Sequence, residues 1–69
     1  MTIEKKRSQI INLSLSVALV RKKEVTEQEI EEALQEAGYL EDFSASDVSA
    51  MTAEINELYR AAPNAKKKD

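Results

Sequence analysis

Whatever chemistry this chain performs must come from carboxylates, amines, hydroxyls and amides. It contains no histidine and no cysteine. The imidazole that most often moves protons at neutral pH is therefore missing, as are two of the usual zinc ligands. Glu31 and Glu32 are adjacent, but neighbours on a helix point in different directions and cannot work as one acid–base pair. The stretch "DFSASD", residues 42–47, alternates oxygen side chains like the start of a calcium loop. Its sixth position is Asp47 where a glycine is required, and its twelfth is Ala53 where a bidentate glutamate is required. The serines have no base to activate them. A chain of 69 residues also has little room for a cleft. These residues point away from an enzyme, and no catalytic, cofactor-binding or metal-ligating residue is assigned.

The charge distribution is more informative than the net charge of −3. Residues 1–23 carry six bases and one acid, residues 24–57 eleven acids and no base, and residues 58–69 four bases and one acid. Glu24, Glu27, Glu31 and Glu32, with Glu36 nearby, are candidate contacts for a basic partner. Like charges at i, i+4 weaken a helix slightly, and the field they create can steer association. Pairing with the basic ends of the first helix and with Lys66–Lys68 is the alternative use of these glutamates. Lys5, Lys6 and Arg7 are the candidate nucleic-acid contacts, because phosphate binding needs clustered positive charge.

A composition of 42% hydrophobic residues, with one glycine and one proline, favours helix. Thr26 and Glu29 form a capping box, flanked by Val25 and Ile30 as a hydrophobic staple. A helix over 27–37 follows, with Ile30, Ala33, Leu34 and Ala37 on one face and Gly38 ending it. Ser44 and Asp47 mark a second start, with Phe43 and Val48 as staple. This helix runs over 45–61 through Val48, Met51, Ile55, Leu58 and Tyr59, and Pro63 stops it. Residues 1–62 are expected to form one helical domain and residues 63–69 a disordered basic tail.

"INLSLSVALV", residues 11–20, reads two ways. By alternation it is a strand. At a period of 3.6 it belongs to a helix over 3–23, with Ile3, Ile10, Leu13, Val17 and Val20 on one seam and Ile11, Leu15 and Leu19 on adjoining faces. The helix satisfies its own backbone, whereas a lone strand needs a second chain. The preferred fold is all-α, a small three-helix bundle. The alternative is β-α-α, with the N-terminal strand paired between two chains. In topology that alternative resembles the ribbon-helix-helix repressors. The resemblance implies base contacts from Asn12, Ser14 and Ser16 with Lys5, Lys6 and Arg7 nearby. The stretch between residues 17 and 37 is too long for that family's first helix, and the cap at Thr26 interrupts it. Helices two and three can also be drawn as a helix-turn-helix, but the second of them carries no base before Arg60.

The first helix holds more apolar surface than two narrow stripes can cover. Ile11, Leu15 and Leu19 are therefore the candidate self-association residues. The expected function is a small non-catalytic protein–protein interaction module, an adaptor or regulator, self-associating through its first helix. A DNA-binding regulator and an acidic inhibitor of a basic partner are the alternatives. Partners are a second copy or another protein, with no small-molecule substrate, cofactor or membrane. Residues 1–20 only partly imitate a secretory signal. Asn12, Ser14 and Ser16 dilute the apolar run, and Arg21–Lys23 stand where a cleavage site would lie, so a cytoplasmic location is expected.

Overall fold

The computed structural model describes residues 2–62. Three α-helices, α1 (Ile3–Arg21), α2 (Glu27–Ala37) and α3 (Ala45–Ala61), form a small all-α bundle. A 3-10 turn, Leu40–Asp42, joins α2 to α3. The stretch 11–20 is helical throughout. The β-α-α alternative is thereby overturned, and with it the ribbon-type strand pairing. The physical reason is that α1 satisfies its backbone within itself and caps both ends.

At its N-terminus the Thr2 hydroxyl accepts from the Lys5 N–H at 3.2 Å. At its C-terminus Lys22 adopts the left-handed conformation (φ 61°), and the Lys23 N–H donates to the Ala18 carbonyl at 3.2 Å. This six-to-one bond is a Schellman closure. It ends the helix at Arg21, two residues before the expected 23. α2 closes the same way, with Gly38 at φ 80° and the Tyr39 N–H donating to the Leu34 carbonyl at 2.8 Å. Both expected capping boxes are present, Thr26 with Glu29 and Ser44 with Asp47, with bonds of 3.0–3.2 Å.

The core is Ile10, Ile11 and Ala18 from α1, Val25 from the connection, Ile30 and Leu34 from α2, and Val48, Met51 and Ile55 from α3. Leu15, Ala33, Tyr39, Phe43 and Tyr59 pack around it. Ser14 and Thr52 are buried among these groups. The Thr52 hydroxyl donates to the Val48 carbonyl one turn back at 2.8 Å. Asn56 fastens the α1–α2 connection to α3. Its Oδ1 accepts from the Val25 N–H at 2.8 Å and its Nδ2 donates to the Val25 carbonyl at 2.9 Å. No helix among the described residues is long and apolar enough to cross a membrane.

Candidate functional site: the face between the first two helices

α1 packs inward through Ile10, Ile11, Ser14 and Ala18. Ser14 and Ala18 are small, one turn apart and buried. The opposite consequence is that the seam residues Leu13, Val17 and Val20 point out, at 54%, 40% and 81% exposure. Their i, i+4, i+7 spacing sets them in one stripe. The expected self-association residues lie elsewhere on the helix. Ile11 belongs to the intramolecular core, and Leu15 and Leu19 are half-buried. α1 is apolar on nearly every side, so spacing alone left its rotation undetermined.

The stripe borders a groove of about 500 Å³ between α1 and α2. Leu13, Ser14 and Val17 form the α1 wall, and Ile30 and Ala33 belong to the α2 side. Arg21 and Glu29 cross the groove at 2.9 Å. That crossing sits near Val25, at the end where the two helices connect. Glu29 is held below the usual glutamate range, first by the Thr26 backbone N–H it accepts and then by the Arg21 guanidinium. Glu32 and Glu36, one turn apart, line the α2 edge. Neither is in an ion pair among the described residues.

The four expected partner-facing glutamates therefore separate. Glu24 is bound to Arg60 at 2.6 Å. Glu27 and Glu31 are exposed on the other flank of α2, and Glu32 lies at the groove with Glu29 and Glu36. The use of Lys66–Lys68 as their counter-charges falls outside the described residues. The three candidate nucleic-acid contacts separate too. Lys6 binds Asp42 at 2.7 Å and stands 5.2 Å over the Tyr39 ring, and Arg7 binds Glu54 at 2.7 Å. Lys5 is exposed and makes no ion pair among the described residues.

Among the described residues no group of three or more carboxylates is placed to hold a metal ion. The groove offers apolar contact, carboxylate acceptors and one paired guanidinium. Sequence reasoning set Ala33 on α2's apolar face and Glu36 beside its acidic contacts, but missed that both share a groove with Leu13 and Val17 of α1. No protein-family model matches the chain, and no curated protein or solved structure is significantly similar to it.

Proposed function

We propose that this chain is a small non-catalytic protein–protein interaction module whose working surface is the α1–α2 face. One observation carries the reading: three branched apolar side chains, Leu13, Val17 and Val20, lie in one exposed stripe beside an open groove. Single exposed apolar residues need no explanation, but a contiguous patch next to a groove marks a contact surface. Self-association through the same stripe is the second reading, favoured by Val20, which lies outside the groove and is 81% exposed.

The experiment replaces the stripe with polar residues, as Leu13→Gln, Val17→Thr and Val20→Lys together. A contact surface contributes little to the isolated fold. The urea unfolding free energy is then expected within about 1 kcal/mol of the parent chain. A loss of about 3 kcal/mol or more, the cost of emptying a core, would show that these residues stabilise the monomer and would end the proposal. Light scattering over a concentration series then separates the two readings. A mass that rises in the parent and not in the triple variant selects self-association.

A further inference from the structure

Resting on that reading of the α1–α2 face, we infer that the groove takes a basic amphipathic helix from another protein, with cations one helical turn apart opposite Glu32 and Glu36. The groove has an exposed apolar wall, at Leu13 and Val17, and half-buried Ala33 between that wall and the α2 edge; Ile30 beneath it is already covered by the core. Its α2 edge carries two like charges, and no cation is set against them among the described residues. An occupant must cover the apolar Leu13–Val17 wall and bring positive charge to the α2 side. An amphipathic helix does both with a single repeat, and helix-in-groove recognition reads the same i, i+3, i+4, i+7 anchors. The α2 edge from Glu29 to Ala37 rises about 12 Å, roughly two turns of a bound helix.

An extended peptide fits less well. The described residues contain no strand whose edge could satisfy its backbone. A second copy also fits less well. Residues 8–20 of α1, the stretch that bears the exposed stripe, contain no charged residue at all. Laid in the groove by that stretch, a second α1 would bring apolar contact but no charge to Glu32 and Glu36; its bases lie at its two ends, where Lys6, Arg7 and Arg21 are already paired. Nucleic acid and anionic lipid are repelled by the same edge.

The test uses two synthetic helical peptides of roughly four turns, with leucines at i, i+3 and i+7. One has lysines on its polar face and its twin has glutamates. Binding to the full chain is read by fluorescence anisotropy. The lysine peptide is expected to bind and the glutamate twin to bind more weakly. Glu32→Lys with Glu36→Lys is expected to cost the lysine peptide about tenfold in affinity, the scale of two exposed ion pairs, and to improve the twin. Glu32→Gln with Glu36→Gln, which adds no new charge, is expected to fall between. Val17→Glu abolishes binding of both peptides while the circular dichroism spectrum stays helical.

Equal binding of the two peptides would overturn the basic partner and leave the groove as the working surface. No binding, with a solution mass that doubles on concentration, would overturn the inference in favour of a second copy. No binding by a chain that stays monomeric would overturn both this inference and the interaction surface beneath it.

Discussion

Asn56 shows how much one side chain can fix. Its amide bonds to both backbone groups of Val25, replacing the pairing that the α1–α2 connection cannot make within a helix. Asn56→Ala would leave an N–H and a carbonyl to find water or go unpaired. The expected cost is about 1–3 kcal/mol, read as a lower urea midpoint. An unchanged midpoint would mean that water replaces the clamp at no cost. Glu29 offers a second single-residue test. It accepts the Thr26 N–H at 3.0 Å and binds Arg21 at 2.9 Å, and its carboxyl is held below the ordinary glutamate value. A group whose folded value is depressed contributes stability above its unfolded value and loses it as pH falls through the folded one. Glutamine preserves the capping geometry without the charge. Glu29→Gln should therefore be less stable at neutral pH, with the gap closing in acid. A gap independent of pH would place the effect in packing rather than charge.

The helix ends divide into those the sequence displays and those it hides. Both N-terminal boxes were legible because each is written within four residues, Thr26 to Glu29 and Ser44 to Asp47. Gly38 was legible as a stop because only glycine adopts that conformation without strain. The end of α1 was not, because Lys22 takes the same left-handed turn with a side chain that disfavours it. The rotation of α1 was hidden for a different reason. With apolar residues on almost every side, its inward face is chosen by what packs against it, and the face that turned in carries Ile10, Ile11, Ser14 and Ala18. The groove was illegible for that reason, since it depends on which α1 residues face out. The two left-handed positions give a matched pair of tests. Lys22→Gly is expected to stabilise by about 0.5–1 kcal/mol, by relieving backbone strain. Gly38→Ala is expected to cost about 1 kcal/mol, and the cost is purely conformational, since an added Cβ meets nothing within 4 Å. Chemical denaturation reads both. Opposite signs at the two sites support strain as the shared cause, and equal signs would refute it.

The bundle has no disulfide or other covalent staple, and its core is one cluster of nine buried apolar residues. Among the described residues four ion pairs tie its parts together, including Lys6–Asp42 and Arg7–Glu54 between α1 and the C-terminal half. Their side chains are partly exposed, so each adds at most about 1 kcal/mol. A core of this size rarely supplies more than about 3–5 kcal/mol. Removing one large central side chain costs about 2–5 kcal/mol. The two ranges overlap, so one substitution can consume the whole margin. Met51, completely buried in the cluster, is the place to try it. Met51→Ala is expected to be largely unfolded at 25 °C, or to melt far below the parent chain, by far-ultraviolet circular dichroism. Leu58→Ala lies on the same helix but is 42% exposed, and is expected to change stability by about 0.5 kcal/mol. If the two variants melt together, the cluster does not hold the fold in the way its burial implies. If they separate, the chain stands near its stability threshold. Any helix that binds only the folded form then lifts the chain's stability above that threshold by mass action, about 2.7 kcal/mol at a hundred times its Kd. For so small a core, occupancy of the proposed α1–α2 face would make binding and persistence of the fold one coupled equilibrium.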